Sequence, residues 1–217
     1  MSVKKLVLGS REEWLKARMN HIGGSDASAC VGVNPYKSNV ELWEEKTGQR
    51  QPEDISGKDC VIYGTKAEEF LRGLFVLDFP EYQVFYDDNN MFLNSDYLWM
   101  HASLDGELVD QEGRRGILEI KTTEIMQSMQ KEKWNDRIPD NYFCQVLHYL
   151  AVTGYEFAVL KAQLKSEWGG ELRITTKHYF IERKDVEEDI KYLVDAEKRF
   201  WNCVQSGRRP DLILPAI

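Results

Sequence analysis

The sequence predicts an α/β protein with a central mixed, largely antiparallel sheet flanked by helices. Two observations lead to this prediction. Apolar residues recur at helical spacing in the first third of the chain, around residue 70 and near its end. Between residues 82 and 122, short runs separated by turn residues are typical of a strand meander, and a further helix and two strands follow. The 217 residues are 42% hydrophobic, which is enough for one such core.

Three short helices are predicted in the N-terminal part. Ser10-Arg-Glu-Glu13 is a capping box, with Ser10 as N-cap and Glu13 reaching back, so a helix should run to about Asn20. Ser25 can cap a short second helix, and a third covers residues 40–47 and stops at Gly48. This helical segment, about residues 10–56, is expected to pack on the core of a single domain that spans residues 1–217.

The remaining elements follow from the same two periodicities. A long helix with one buried stripe is predicted from Val61 to Leu77, and another from Asp140 to Thr153, between Pro139 and Gly154. The C-terminal helix covers about residues 184–206. The predicted strands occupy residues 82–86, 91–93, 98–102, 104–109, 116–122, 155–164 and 171–181.

Composition and charge argue against several classes of protein. No segment approaches the ~18 apolar residues of a membrane span, and the N-terminus does not resemble a signal peptide. The four cysteines form no Cys-x-x-Cys pair, which predicts reduced thiols in a cytoplasmic protein. The net charge of −8 argues against a protein that merely coats nucleic acid. It is compatible with clustered carboxylates that hold cations against a phosphate.

One candidate site lies in the central strands. Asp105 is on one predicted strand and Glu119-Ile-Lys121 on its hairpin partner, so the hairpin should bring Asp105 beside the other two. Strand alternation puts Glu119 and Lys121 on one face. Carboxylates bind Mg²⁺, a hard cation that prefers oxygen ligands, and a nearby lysine can orient or deprotonate water. Metal-dependent phosphodiester hydrolysis needs a site that binds the ion, activates water and stabilises charge, and these residue types can supply it.

Sequence context separates this Glu-x-Lys tripeptide from two others. Glu44-Glu-Lys46 lies in a helix and Glu182-Arg-Lys184 at a strand–helix junction, where solvated charge is the natural interpretation. Only Glu119-Ile-Lys121 is embedded in an apolar strand. Burial of charged side chains is costly, so their presence there indicates a specific role. A structural salt bridge is the alternative explanation.

Two helical pairs and an N-terminal segment complete the pattern. Gly64-x-x-x-Glu68 and Gln145-x-x-x-Tyr149 are i, i+4 pairs, so each presents both residues on one helix face. The run Arg18-Met-Asn-His-Ile-Gly-Gly-Ser25 precedes them. Together with Asp105 and Glu119-x-Lys121, the pattern over about residues 11–164 resembles the lambda-exonuclease/YqaJ-like viral recombinase family, which has the PD-(D/E)XK nuclease fold.

The resemblance implies a role for each matching residue. The implied metal ligands are Glu68, Asp105, Glu119 and the Ile120 carbonyl, and the implied catalytic residues are Asp105, Glu119 and Lys121. Lys121 would position the attacking water. The implied cofactor is Mg²⁺, as two ions, with Mn²⁺ as a substitute. Gln145 and Tyr149 would line the site and contact the DNA backbone. The implied ligands of a terminal 5′-phosphate are Arg18, Ser25, Ser103 and Gln145.

The resemblance also implies a function. It is that of a Mg²⁺-dependent exonuclease that resects linear double-stranded DNA in the 5′-to-3′ direction during phage-type recombination. The implied assembly is a homotrimer, and the implied partner is a single-strand annealing recombinase. Two alternatives remain open: an endonuclease or repair nuclease of the same fold, and a catalytically silent DNA-binding module. The intact Asp105, Glu119 and Lys121 speak against the silent module.

Several of these residues also have plainer interpretations. Glu68 could be a solvated helix acid that exchanges roles with Glu69, and Arg18 could pair with a surface acid. Gln145 and Tyr149 could be polar groups at the edge of the core. The four histidines, at positions 21, 101, 148 and 178, show no metal-ligand spacing and are predicted to be structural or on the surface.

Overall fold

The computed structural model describes residues 2–214. The helices in these residues are α1 (Arg11–Met19), α2 (Gly24–Cys30), α3 (Asn39–Lys46), α4 (Asp59–Asp78), α5 (Ser128–Glu132), α6 (Asp140–Thr153) and α7 (Glu187–Ser206). The strands are β1 (Val3–Val7), β2 (Ile22–Gly23), β3 (Gln83–Phe85), β4 (Asn90–Asn94), β5 (Tyr97–Ala102), β6 (Gly106–Val109), β7 (Arg115–Ile125), β8 (Phe157–Trp168) and β9 (Glu171–Glu182).

The larger sheet contains five strands in the order β3-β6-β7-β8-β9. Strands β7 and β8 run parallel, whereas the β3–β6, β6–β7 and β8–β9 pairs are antiparallel. A parallel pair needs a crossover connection, and α6 supplies it between β7 and β8. The predicted fold class, a mixed and largely antiparallel α/β architecture, is confirmed.

A second sheet departs from the prediction of one central sheet. Its four strands have the order β1-β4-β5-β2, with the β4–β5 hairpin at its centre. Strand β1 has the sequence Val-Lys-Lys-Leu-Val, which lacks the period-two alternation of a half-buried strand. Its position at the sheet edge tolerates consecutive lysines. The strands that precede Asp105 are therefore divided between two sheets, and their sequences do not specify which partner each one takes.

The larger sheet is covered by a helix on each face. Ile117 of β7 belongs to the core cluster that contains Leu150 of α6. Its neighbour Leu118 belongs to a separate cluster with Leu71 and Phe75 of α4. Alternate residues of β7 therefore face α6 and α4, as strand geometry requires. Charged residues on the same parity as Ile117 are directed toward α6.

The N-terminal helices pack against the C-terminal half of the chain. Ile22, Leu42 and Trp43 form a core cluster with Phe200 of α7, and Trp43 Nε1 donates to the carbonyl oxygen of Cys203 at 3.2 Å. Helix α2 packs on α6. The predicted contact between the N-terminal helical segment and the core is present, and α2 is placed next to the central strands.

The cap predicted at Ser25 is wrong. Helix α2 begins at Gly24 with Gly23 as its N-cap, and the Gly23 N–H donates to Asp26 Oδ2 at 3.2 Å. The carboxylate at the third helical position therefore makes the capping contact. Ser25 lies exposed in the first turn, so its hydroxyl is free to bond elsewhere.

Two further expectations concern whole-chain properties. No helix in residues 2–214 combines the length and the hydropathy that a membrane crossing requires. The four cysteines, all within the described residues, are free thiols.

Candidate active site

Asp105, Glu119 and Lys121 meet where β6 pairs with β7. The antiparallel register of these strands places Asp105, the residue before β6, beside Glu119. Asp105 Oδ2 accepts a hydrogen bond from the backbone N–H of Ile120 at 2.8 Å. Lys121 Nζ donates to Glu119 Oε1. The structure thus brings together the three residues that the sequence pattern singled out.

The carboxylates of this cluster are in an unfavourable electrostatic environment. Burial, together with repulsion by Glu119 and Glu68, raises the pKa of Asp105 well above its usual value. Burial also raises the pKa of Glu119, although Lys121 opposes the shift. Burial alone would lower the pKa of Lys121, but attraction by Glu119 and Asp105 outweighs it, so the pKa is raised and the ammonium stays charged. One lysine therefore faces an excess of buried acid.

This excess of acid suits a divalent cation. Glu119 is 1% exposed and its Oε2 has no hydrogen-bond partner, which is uncommon for a buried polar atom. Within residues 2–214, no group of three or more His, Cys, Asp or Glu side chains is arranged so that it could hold an ion by itself. Mg²⁺, however, is usually held by one or two carboxylates together with phosphate and water. Asp105 and Glu119 fit that kind of site, in which water or a substrate phosphate supplies the remaining ligands.

Glu68 reaches the same site from α4. Its charge contributes to the raised pKa of Asp105, and its Oε1 accepts from Arg72 Nη1 at 3.0 Å. Arg72 Nη1 also donates to the carbonyl oxygen of Asp105. Glu68 is half-buried, whereas Glu69 is exposed. Of the two neighbouring acids, Glu68 is the one that the structure places in the site.

Gln145 and Tyr149 approach Glu119 from α6. Gln145 Nε2 donates to Glu119 Oε1 at 2.8 Å and to Tyr149 Oη at 2.9 Å. A glutamine amide has two N–H donors, so both are engaged and only its carbonyl acceptor remains. Gln145 therefore positions Glu119 and offers no donor to a phosphate in this arrangement. Burial raises the pKa of Tyr149, so the phenol keeps its proton as a donor.

Two glycines allow the helices to approach this closely. A Cβ at Gly24 would lie 2.4 Å from Tyr149 Cε1 and 2.9 Å from Gln145 Cγ. A Cβ at Gly64 would lie 3.1 Å from Thr122 Oγ1. Any side chain at Gly24 would therefore displace α2 from α6, and the glycine is required by space rather than by backbone angles.

Arg18 and Ser25 form a cationic part of the site. Arg18 Nη2 donates to Ser25 Oγ at 3.0 Å, and its guanidinium carbon lies 4.6 Å from the ring centre of Trp14. No acid of residues 2–214 lies within ion-pair distance of the Arg18 guanidinium, although its charge contributes to the lowered pKa of the nearby Asp26 carboxyl. Ser103 Oγ accepts from Trp14 Nε1 at 3.0 Å and donates to the Asn90 carbonyl at 2.7 Å. The only proton of the Ser103 hydroxyl is therefore used, and Ser103 orients Trp14.

A cavity of about 230 Å³ joins these groups. The predicted site residues that line it are Arg18, Ser25, Glu68, Ser103, Asp105, Gln145 and Tyr149. Glu119, Ile120 and Lys121 do not line it; the buried Glu119 is connected to it through its hydrogen bond with Gln145. Larger cavities of about 610 and 820 Å³ elsewhere contain none of these residues. One cavity thus presents carboxylates that suit a cation and a guanidinium that suits an anion.

Comparison with known protein families identifies the family of this chain. The family model of the YqaJ-like viral recombinase domain matches residues 13–156, which include every residue predicted for the site. The chain belongs to the YqaJ-like viral recombinase family. The uncharacterized protein YqaJ of Bacillus subtilis (strain 168) is 35% identical over 205 residues, which are 94% of this chain and 59% of that protein. This YqaJ-like chain thus spans about three fifths of the length of that relative.

Solved structures share the fold of this YqaJ-like chain. An alkaline exonuclease (LHK-Exo) from Laribacter hongkongensis superimposes with a TM-score of 0.65 and 18% identity, over 91% of this chain and 96% of that one. The same exonuclease in complex with dAMP gives a TM-score of 0.58 at 16% identity, over the same shares of the two chains. A phage related exonuclease from Haemophilus somnus 129PT gives 0.52 at 13% identity, over 86% and 96%. At these identities the likeness concerns the fold alone.

The cavity of this YqaJ-like chain contains residues that sequence reasoning missed. Arg11 lies 4.1 Å from the ring centre of Trp14, so two guanidinium groups flank one indole. Positions 11, 14 and 18 share one helix face, which is a signal that the sequence contains. His101, predicted to be structural or on the surface, is buried yet lines the cavity, and burial lowers its pKa so that the imidazole is neutral. No sequence pattern indicated His101.

Proposed function

We propose that this chain is a metal-dependent deoxyribonuclease, specifically a 5′-to-3′ exonuclease that resects linear double-stranded DNA for phage-type recombination. The observation that carries the proposal is the buried, mutually repelling carboxylate pair with one lysine, next to a cavity that also presents arginine. Membership of the viral recombinase family supports it. Residues 1–217 are proposed to act as one nuclease domain.

The proposed metal site uses the acids that the fold brings together. Asp105 and Glu119, with the Ile120 carbonyl, would hold one Mg²⁺, and Glu68 would complete a second position. Bound Mg²⁺ supplies a Lewis acid for the scissile phosphate and neutralises its developing charge, and Mn²⁺ is expected to substitute. A cation would also favour the ionised form of Asp105 and Glu119, whose pKa values are raised by burial.

Lys121 and the α6 residues are proposed to organise the reacting groups. Lys121 is charged, bonded to Glu119 and 5.2 Å from the ring centre of Tyr142, so its ammonium is restrained where it can hold the attacking water. Gln145 fixes the Glu119 carboxylate. The free phenolic proton of Tyr149 is proposed to contact the DNA backbone.

The terminal 5′-phosphate is proposed to bind at Arg18 and Ser25. The guanidinium retains N–H groups beyond the one bonded to Ser25, and its planar fork suits phosphate oxygens. Ser103 and Gln145 would support this binding indirectly, through Trp14 and Glu119. Because the anion-binding groups and the carboxylates line one cavity, a bound 5′ end would place the adjacent phosphodiester near the metal ligands. This favours an exonuclease over an endonuclease of the same fold.

The partners are proposed from the family alone. They are double-stranded DNA ends, a single-strand annealing recombinase and two further copies of the chain in a ring-shaped homotrimer. Light scattering after size exclusion should then report about three subunits, and long linear DNA should be degraded without frequent release. A monomer with distributive cleavage would point instead to a repair nuclease.

One assay tests the proposed reaction. Linear duplex labelled at its 5′ or 3′ ends and closed circular DNA are incubated with and without Mg²⁺, with Glu119→Gln as the inactive control. The expected result is release of label from the 5′ ends of linear duplex only, and only with Mg²⁺. Nicking of the closed circle would favour the endonuclease. Binding of DNA without cleavage, at all metal conditions, would favour the silent module.

A further inference from the structure

Arg72 connects two parts of the acidic site. It lies on α4, four residues after Glu68, and its side chain is 11% exposed. Its Nη1 donates to Glu68 Oε1 at 3.0 Å and to the backbone carbonyl of Asp105. One guanidinium therefore links α4 to the start of β6, the two elements that carry proposed metal ligands outside β7.

The guanidinium is also held by an aromatic ring. Its central carbon lies 3.5 Å from the ring centre of Tyr86, which lines the cavity. Burial, with a contribution from Glu68, raises the pKa of Tyr86 to about 12, so the ring is neutral at physiological pH. A guanidinium that is stacked and hydrogen-bonded in this way has little freedom to reorient.

Neutralisation of Glu68 does not account for these contacts. A lysine could supply the same charge, but it could not stack on Tyr86 while it bonds to both a carboxylate and a carbonyl. The Asp105 carbonyl, moreover, carries no charge to neutralise. We propose that Arg72 is a positioning residue that fixes Glu68 and the Asp105 backbone in the geometry that binds the metal ions. The proposal rests on the proposed metal-dependent function.

Positioning and neutralisation predict opposite changes in metal affinity. A guanidinium beside Glu68 repels a cation, so its removal would strengthen metal binding if charge were its only effect. If Arg72 holds Glu68 and Asp105 in place, its removal weakens metal binding. Lysine at this position keeps the charge and loses the planar fork, so Arg72→Lys separates the two effects.

The chain offers a matched control in Arg114. Its Nε bonds to Asp110 Oδ2 at 2.8 Å and its Nη1 to Glu182 Oε2 at 2.9 Å, and its guanidinium lies 5.4 Å from the ring centre of Phe157. Arg114, like Arg72, makes two hydrogen bonds and lies near an aromatic ring, but it bonds to none of the proposed metal-site residues.

The experiment measures Mn²⁺ binding to the full chain without DNA, from the electron paramagnetic resonance signal of the free ion. Arg72→Lys and Arg72→Ala should each raise the Mn²⁺ Kd by roughly tenfold or more, the loss expected for a charge-assisted contact. Arg114→Ala should bind like the wild type. Added methylguanidinium should restore part of the Mn²⁺ affinity of Arg72→Ala, which a protein with general structural damage would not show.

The possible outcomes separate this inference from the proposed function. If Arg72→Ala binds Mn²⁺ as tightly as the wild type or more tightly, the positioning role is overturned. The same holds if Arg114→Ala loses as much Mn²⁺ affinity as Arg72→Ala. Weakened binding in Glu119→Gln, together with unchanged binding in Arg72→Lys, would overturn the inference alone. A wild-type chain that binds no Mn²⁺ would overturn the proposed function, and this inference with it.

Discussion

Replacement of Arg18 by alanine is expected to slow digestion of 5′-phosphorylated ends by about ten- to a hundredfold. Arg18 is half-buried beside Trp14, with one N–H engaged by Ser25 and no acid of residues 2–214 within ion-pair distance. A hydrogen bond to a charged group contributes roughly 1.5–3 kcal/mol, and about 1.4 kcal/mol corresponds to a tenfold change. Because the proposed contact is with the terminal phosphate, the slower rate on 5′-hydroxyl ends should hardly change.

The assay compares initial rates on one linear duplex that carries either a 5′-phosphate or a 5′-hydroxyl. Arg18→Lys keeps the charge but not the planar fork, so it should recover only part of the preference for phosphate. Arg114→Ala, which changes an arginine outside the cavity, should behave like the wild type on both substrates. If Arg18→Ala slows both substrates equally, or neither, Arg18 is not the phosphate anchor.

Three further outcomes follow from the same geometry. The rate of DNA cleavage should fall by orders of magnitude in each of three variants whose circular dichroism stays native: Asp105→Asn, Glu119→Gln and Lys121→Met. EDTA should abolish activity. A wild-type rate in any of these variants would contradict the proposed catalytic site. Gln145→Ala should slow phosphorylated and hydroxyl ends alike, because its amide bonds to Glu119; a loss confined to phosphorylated ends would instead make Gln145 a phosphate ligand. Burial would raise the pKa of Asp26, but two neighbouring cations lower it. Its ion pair therefore stabilises the fold above the unfolded pKa of about 3.9 and is lost as pH falls below that value. In urea unfolding at pH 7, the free energy of unfolding of Asp26→Asn should be about 3 kcal/mol lower than that of the wild type, and this difference should become smaller below pH ~4. A difference that does not change with pH would refute the ion pair.

Local signals predicted the elements that depend on local chemistry. Helix α6 has the predicted bounds because Pro139 suits a helix start and Gly154 adopts the left-handed φ of +69° that ends it. Strand β7, in contrast, extends to Ile125, beyond the predicted end at residue 122, because it pairs with β8 from Gly116 to Ile125. Such pairing depends on a partner about forty residues away, and the sequence of β7 alone does not contain it.

The site could be predicted as a set of residues but not as a set of hydrogen bonds. Asp105, Glu119 and Lys121 follow from charge in an apolar strand pair, and the structure places them together. The i, i+4 spacing indicates the contact between Gln145 and Tyr149, but the bonds from Gln145 to Glu119 and from Ser103 to the Asn90 carbonyl join separate elements, and no spacing rule specifies them. For the same reason, the spacing of Arg72 from Glu68 suggests an ordinary helix ion pair, and its bond to the Asp105 carbonyl appears only in the folded chain.

The arrangement of charge in the cavity is compatible with the proposed binding of DNA, an acidic polymer, by an acidic protein. The net charge of −8 would oppose DNA if it were spread evenly over the surface. Two guanidinium groups flank Trp14, and the carboxylates of Asp105 and Glu68 line the same cavity. The carboxylates repel a phosphate until a divalent cation converts them into a phosphate-binding surface. Affinity for DNA should therefore depend on the cation far more in the wild type than in Asp105→Asn, where less negative charge needs to be neutralised. Equal dependence on Ca²⁺ in DNA-binding titrations of the two proteins would show that the cation acts elsewhere.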